Sequence, residues 1–230
     1  MIAPIVQVDH PVTLVGGGEV RPGAVTEALD RAPSLVAVDS GARAALAEGH
    51  QPEAVIGDFD SLDPRTRALI SPDRLFPIRE QETTDFDKAL RHIRAPLVLG
   101  VGFLGGRVDH QLSAFNTLVR HADRPCLLLG AHELAFHLPP EIALTLPVGS
   151  TVSLFPLAGV TGASEGLKWP LQDIPFAPDG RVGTSNQVTG PVRLRMDGPG
   201  MLALVSPAAL AEVMRAFLEA GHARWPSRVG

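Results

Sequence analysis

The sequence predicts an α/β domain with a mostly parallel sheet over residues 1–138. A small all-β sandwich follows over 139–230 and ends in a helix at 207–220. Three observations predict this. Short apolar runs alternate with helical patterns through the first half, as in βαβ units. Beyond His137-Leu138-Pro139-Pro140 the apolar runs are broken by Pro and Gly, as in antiparallel sheets. Near the C-terminus, Leu210, Val213, Met214, Phe217 and Leu218 recur at helical spacing.

Val6-Gln7-Val8 fits a short edge strand. Val12 to Val15 reads as the first buried strand, closed by Gly16-Gly17-Gly18. A helix is expected over Pro22–Leu29. Leu35 to Val38 is the second buried strand, followed by Asp39-Ser40-Gly41 and an alanine-rich helix that Gly49 closes at C′. Val55-Ile56 leads into Gly57-Asp58-Phe59-Asp60-Ser61. Asp63-Pro64 starts a helix as N-cap and first helical residue. Arg74–Ile78 is a short strand. Thr84 and Asp87 have capping-box-like spacing, and Phe86, Leu90 and Ile93 share one face of the next helix. Leu97–Val101 is a strand, and Asp109 opens a helix whose apolar stripe is Leu112, Phe115 and Val119. Cys126–Leu129 completes the first domain. In the second, strands are expected at Ile142–Leu146, Thr151–Phe155, Val192–Met196 and Met201–Val205. Gly166–Leu171 and Gly183–Asn186 read as loops, and the tail from His222 as loose.

The chain has 230 residues, long enough for two modest cores. Its net charge of −5, without a long run of one sign, argues against a nucleic-acid partner. The single cysteine, Cys126, excludes an internal disulfide and fits a reducing compartment. It lies in an apolar run and reads as a core thiol. There is no signal-peptide pattern and no apolar run of membrane-spanning length. The expectation is a soluble, cytoplasmic protein.

The chemistry concentrates in loops that follow strands, the edge where open α/β sheets bind ligands. Asp58 and Asp60 offer hard oxygen ligands of the kind Mg²⁺ uses when it is shared with phosphates. Asp39 also follows a strand and either caps the next helix or faces the cleft. Asp85 lies in a first helical turn beside Thr83 and Thr84, and Lys88 is one turn on, either reaching phosphate or solvated. Gly105-Gly106 permits close backbone approach to a ligand. Arg107 can fork onto phosphate, and Asp109 and His110 follow it.

These segments together resemble the thiamine pyrophosphokinase family. The resemblance rests on Asp39-Ser40-Gly41-Ala42, Gly57-Asp58-Phe59-Asp60-Ser61, Thr83-Thr84-Asp85-Phe86-Asp87-Lys88-Ala89-Leu90 and Gly105-Gly106-Arg107-Val108-Asp109-His110. In the second domain it rests on Gly166-Leu167-Lys168-Trp169 and Thr184-Ser185-Asn186. It implies a Rossmann-like nucleotide-binding domain followed by a thiamine-binding sandwich. It also implies a homodimer with the site shared between subunits, and conversion of ATP and thiamine to AMP and thiamine diphosphate. Asp58, Asp60 and Asp85 would hold Mg²⁺, with Asp109 and Arg107 completing the catalytic set. Asp39, Gly41, Thr84, Lys88, Gly105, Gly106 and His110 would contact the nucleotide. Ser185, Asn186, Trp169 and Asp109 would contact thiamine. The chain departs from the family at Ser40, where glycine is usual; a serine fits there if its φ is negative. It also has Gln187 and Val188 where an aromatic can follow Ser-Asn, so either Trp169 stacks on the pyrimidine or the stacking is weaker. The terminal helix extends beyond the family's usual end. A diphosphokinase for another alcohol, such as a hydroxymethylpterin, and a non-catalytic thiamine or nucleotide sensor are the alternatives left by the sequence.

Overall fold

The computed structural model describes residues 3–172, 174–219 and 224–227. The chain divides into two compact units. One comprises residues up to 117 with 128–131, the other 118–127 and the residues from 132 on.

In chain order, the first unit contains β1 (Val6–Gln7), β2 (Val12–Val15), α1 (Ala24–Leu29), β3 (Ser34–Val38), α2 (Gly41–Ala47) and β4 (Ala54–Gly57). Then come α3 (Pro64–Ala68), β5 (Leu75–Pro77), α4 (Asp85–His92), β6 (Ile93–Arg94), β7 (Val98–Val101) and most of α5 (Val108–Arg120). Strand pairing here is parallel throughout: β2 with β7, β3 with β4, β4 with β5, and β1 with β6. Every residue of β2, β3, β4 and β7 is buried. Parallel strands covered on both faces read as unbroken apolar runs, which is why these four were plain in the sequence. Thr13 Oγ1 donates to the Ala32 carbonyl at 2.6 Å and ties β2 to the approach to β3.

Short helices need outside partners for their ends. Asp63 caps α3 by accepting from the Arg65 and Thr66 N–H groups, with Pro64 at the first position. Thr84 caps α4 by accepting from the Asp87 N–H at 3.3 Å. The six-residue α1 has no cap of its own; Glu48, at the end of α2, accepts from the N–H groups of Gly23, Val25 and Thr26. The start of α2 lies against the end of β2. A Cβ on Gly41 would sit 2.1 Å from the Val15 carbonyl oxygen.

Strand β8 (Cys126–Leu129) straddles the division, and Cys126 is buried. The second unit then holds β9 (Leu134–His137), β10 (Glu141–Leu144), β11 (Thr151–Pro156), β12 (Gly162–Leu167), β13 (Gly183–Met196), β14 (Met201–Val205) and α6 (Leu210–Leu218). Pairing here is antiparallel, in the order β10-β13-β11-β14-β9, with β12 also on β13. The 14-residue β13 serves two groups of strands. Its first part pairs β11, and its second part pairs β10 and β12. Helix α6 buries Leu210, Val213, Met214 and Phe217, and Phe217 meets Phe136 edge to face at 5.6 Å.

Four expectations need correction. Of the expected loops, residues 166–167 close strand β12 and 183–186 open β13, whereas 168–171 carry no strand; small and polar residues such as Gly162-Ala163-Ser164 and Gly183-Thr184-Ser185-Asn186 give no apolar alternation for the sequence to show. In α5 the buried positions include Ala114, Leu118 and Val119, whereas Leu112 is 60% exposed. The terminal helix begins as one 3₁₀ turn at Pro207–Ala209 and continues as α6; its expected last residue, Ala220, lies outside the described residues. The described part of the tail is anchored, because Trp225 Nε1 donates to the Leu138 carbonyl at 2.8 Å.

The join between β2 and α2 tests this packing. Gly41→Ala places a methyl group on a backbone carbonyl that has no room to retreat. The expected result is a loss of about 2 kcal/mol or more, or an insoluble protein. Urea unfolding of this variant beside wild type measures it.

Candidate active site

The site grows from the ends of β3 and β4. Past β3 the chain turns at Asp39 with a φ of 44°. Past β4 it turns at Phe59 with a φ of 66°. A non-glycine residue in the left-handed region is strained, and Asp tolerates it better than most. Phe59 packs against the apolar cluster of Ala37, Ala42, Val55, Leu62 and Ile70. With that ring anchored, Asp58 and Asp60 on either side of it turn toward Asp39. Single oxygens of Asp39, Asp58 and Asp60 lie within 4.8 Å of one another. Gly57 makes the approach possible: a Cβ there would meet Asp39 Cβ at 3.1 Å and Asp85 Cγ at 3.3 Å.

Helix α4 closes the other side. Asp85 Oδ1 accepts from the Asp58 N–H at 3.2 Å and from Lys88 Nζ at 2.9 Å. Lys88 Nζ also donates to Asp58 Oδ2 at 2.9 Å. Lys88 is 1% exposed, so it is neither solvated nor spare. Burial alone would lower its pKa, yet Asp85 and Asp58 hold it above the ordinary lysine value. The same lysine holds Asp58 below the usual carboxylate range. Behind this pair, Arg91 braces α4 onto the preceding loop. It pairs with Asp87 at 3.1 Å and donates to Glu80 at 2.7 Å and Thr83 at 3.2 Å.

Asp39 is the unusual member. It is 4% exposed, and Oδ2 accepts from the Ser61 N–H at 3.2 Å. Its Oδ1 is buried without a protein partner. Burial, against the Ser61 bond and aided by repulsion from Asp85, Asp60 and Asp58, pushes Asp39 up to about 6. It does not cap α2: the N-cap is Ser40, with a φ of −61°. The serine therefore fits the position where the family usually has glycine. Its hydroxyl lies over Gly17, whose Cβ, if present, would be 2.2 Å away. Gly41, expected at the nucleotide, spends its missing side chain on the Val15 carbonyl.

The loop after β7 lies beside the glycine loop after β2, through a Gly18 N–H bond of 2.9 Å to the Gly102 carbonyl. Gly105 and Gly106 have φ values of 86° and 68° and pass next to Glu19, which the sequence reading did not single out. The Gly105 N–H is held by Gln111 at 3.3 Å. Arg107 and Asp109 are exposed and pair in a fork, at 3.1 and 2.5 Å. His110 is exposed. The structure does not bring Asp109 into the three-acid group.

In the second unit, Ser185 has a φ of 60°, and its N–H donates to Ser153 Oγ at 2.9 Å. Asn186 is buried and spent on the backbone. Its Oδ1 accepts from the N–H groups of Trp169 and Gln187, and its Nδ2 donates to the Trp169 carbonyl at 2.6 Å. Asn186 thus sets the Trp169 backbone. Trp169 is 55% exposed, with Lys168 Nζ 4.8 Å over its ring. Beside it lies a cavity of about 150 Å³ lined by Trp169, Leu171, Phe176, Arg181, Thr184 and Asn186 among others.

The structure brings together Asp58, Asp60, Asp85 and Lys88 as one group, with Asp39 added. It also places Trp169 beside Thr184 and Asn186. Of the three acids expected at a metal, Asp58 and Asp60 converge with Asp39, and Asp85 shares Lys88 with Asp58 at the edge of that group. Asp85 to Lys88 is an i, i+3 pair, a spacing that could have signalled the contact.

A family model described as thiamin pyrophosphokinase, catalytic domain, matches residues 25–128. A second, thiamin pyrophosphokinase, vitamin B1 binding domain, matches 135–199. Thiamine pyrophosphokinase 1 from Oryza sativa subsp. japonica is 28% identical over 158 residues, covering 60% of each chain. Thiamine pyrophosphokinase 2 from Arabidopsis thaliana is 28% identical over 169 residues, covering 60% of this chain and 59% of its own. The matched region thus spans about 60% of the length of these curated relatives. The solved thiamin pyrophosphokinase from Geobacillus thermodenitrificans has a TM-score of 0.70 at 25% identity, over 85% of this chain and 96% of its own. The Candida albicans structure has a TM-score of 0.71 at 16% identity, over 86% and 89%, and shares the fold. Two domain models in succession over most of its length, with the acid-bearing segments inside the first, place this chain in the thiamin pyrophosphokinase family.

Proposed function

We propose that this chain is an ATP-dependent, Mg²⁺-requiring thiamine diphosphokinase. The observation that carries the reading is the convergence of Asp39, Asp58 and Asp60, with one buried carboxylate oxygen left unpartnered. An all-oxygen donor set suits a hard divalent cation, and an orphaned buried oxygen calls for a partner. Asp85, whose Oδ1 is taken by Lys88 and the Asp58 N–H, has Oδ2 to offer as a fourth ligand. The bound ion supplies charge neutralisation at the phosphates and polarises the reacting phosphorus.

The thiamine hydroxyl oxygen attacks the β-phosphorus of ATP. The bond from the β-phosphorus to the α,β-bridging oxygen breaks, and AMP leaves with that oxygen. Such transfers ask the protein mainly for positioning and charge. Asp109 orients the hydroxyl and accepts its proton, once Arg107 exchanges Asp109 for phosphate. The Gly106 backbone, Thr84 and His110 are the further nucleotide contacts of the proposal. The first unit is the ATP-binding catalytic domain, with a Rossmann-like use of its glycine loops. The second is the thiamine-binding domain. There the Trp169 face stacks on the pyrimidine, Ser185 offers its hydroxyl, and Asn186 holds Trp169 in place. The proposed working form is a cytoplasmic homodimer with the site shared between subunits, which sedimentation of the purified protein tests. The family resemblance supports the dimer, and the single buried thiol fits a reducing compartment.

The deciding assay is AMP formation from ATP and Mg²⁺ with and without thiamine. Thiamine-dependent AMP supports the reading. AMP only with another alcohol moves the substrate, and no AMP with any acceptor leaves a binding protein. Asp58→Asn is expected to lower turnover by about two orders of magnitude or more while circular dichroism shows a folded chain.

Trp169→Leu is expected to raise the KM for thiamine about tenfold and to leave kcat within about threefold, as befits a stacking contact. A fall in kcat with KM unchanged would place Trp169 elsewhere.

Asp39 gives a stability prediction. Its folded pKa of about 6 lies above the ordinary carboxylate value, so the folded state holds the proton more tightly than the unfolded one. Stability therefore falls as pH rises from about 4 to about 6 and stays lower above that. The cost at neutral pH is about 1–3 kcal/mol. Asp39→Asn, which also tolerates the left-handed backbone, removes it. Metal-free melting curves should show the variant more stable than wild type at pH 7.5, and the gap closing at pH 4.5.

A further inference from the structure

Lys88 is among the largest fully buried side chains of the described residues, and it is a cation. Burying an ammonium is costly unless it is paired and fully hydrogen-bonded. The pairing is with the acids of the site: Asp58 Oδ2 on one side and Asp85 Oδ1 on the other, both at 2.9 Å. The Asp58 N–H to Asp85 bond of 3.2 Å closes the ring. The lysine is held from behind as well. Its N–H donates to the Thr84 carbonyl, and its own carbonyl bonds His92 Nδ1 at 2.7 Å. An ammonium fixed at both ends of its side chain does not swing aside when another cation approaches.

This has a chemical consequence for Asp58. One oxygen faces Lys88, and the other accepts from the Asp60 N–H at 3.3 Å. A free divalent cation entering the group meets a fixed positive charge on a shared carboxylate, in a setting where screening by water is weak. A cation arriving on a polyphosphate brings compensating negative charge with it. The lysine then favours the complex it disfavoured as a bare ion. We propose that Lys88 is an internal counter-ion that holds Asp58 and Asp85 in position and makes divalent-cation binding depend on the nucleotide. The inference rests on the reading of the acidic group as a cation site.

The test is calorimetric titration of the metal-free full chain with Mn²⁺. It is run alone and with an ATP analogue whose α,β-bridging oxygen is a methylene, after subtracting the Mn²⁺ that the analogue binds by itself. Wild type should bind Mn²⁺ at least tenfold more tightly with the analogue. Lys88→Gln keeps hydrogen-bond donors and loses the charge; it should bind Mn²⁺ alone at least tenfold more tightly than wild type. Lys88→Arg keeps the charge and should behave as wild type. Equal affinity of Lys88→Gln and wild type for free Mn²⁺ overturns the counter-ion role and leaves the metal site standing. Wild-type affinity that is the same with and without the analogue overturns it too, and needs no variant. Absence of Mn²⁺ binding under every condition overturns the metal-site reading and this inference together.

Discussion

Four carboxylates meet at one edge of the first unit, and like charges this close repel. The structure holds them by three devices. Lys88 is buried between two of them. Backbone N–H groups of Asp58, Asp60 and Ser61 are aimed at carboxylate oxygens. Two left-handed turns, at Asp39 and Phe59, carry the strain of bringing the loops together. Among the described residues, non-glycine positive φ occurs at Asp39, Phe59 and Ser185 alone. All three belong to segments with a proposed ligand role, which is where backbone strain tends to be stored.

The remainder of the unit offsets this cost. Strands β2, β3, β4 and β7 are buried along their full length and mostly apolar, with Thr13 and Ser34 as polar exceptions, and their buried apolar surface supplies the driving force. The site takes some of it back. A carboxylate such as Asp39, burdened by burial rather than relieved by a partner, is a local loss of stability kept for function.

How much of this could be read from residues alone depends on what each feature needs. Fully buried parallel strands are runs of apolar residues, so β2, β3, β4 and β7 were legible. Local capping was legible as well, at Asp63 and Thr84, because cap and N–H partners are two or three residues apart. The α5 face was misread, because Leu112 has helical spacing with Phe115 and Val119 yet is exposed. Strands β12 and the start of β13 were missed, because Gly162-Ala163-Ser164 and Gly183-Thr184-Ser185-Asn186 have neither β-branched nor alternating apolar character. In the site, the acids were identified, but their grouping was not. Whether Asp39 or Asp85 faces Asp60 depends on two turns and on Gly57, which sequence spacing does not encode. Lys88 is the sharpest case. A lysine on a helix face looks solvated until the loop bearing Asp58 is folded over it.

Strand β13 has a consequence for how the protein is made. Its partners on β10 lie some fifty residues earlier, with Glu141 opposite Arg195, and β14 pairs back to β9 with Leu202 opposite His137. Pairings this distant in sequence form late, because each closes a long loop. On the ribosome, the strands from β9 onward emerge before the residues that complete their sheet. Strand β10 and one edge of β11 wait for β13, which ends at Met196, and the other edge of β11 and the β14-facing edge of β9 wait until about residue 205 has cleared the exit tunnel. During that interval Leu134–His137 and Ile142–Leu144 are the apolar edges that a chaperone or a neighbouring nascent chain would meet.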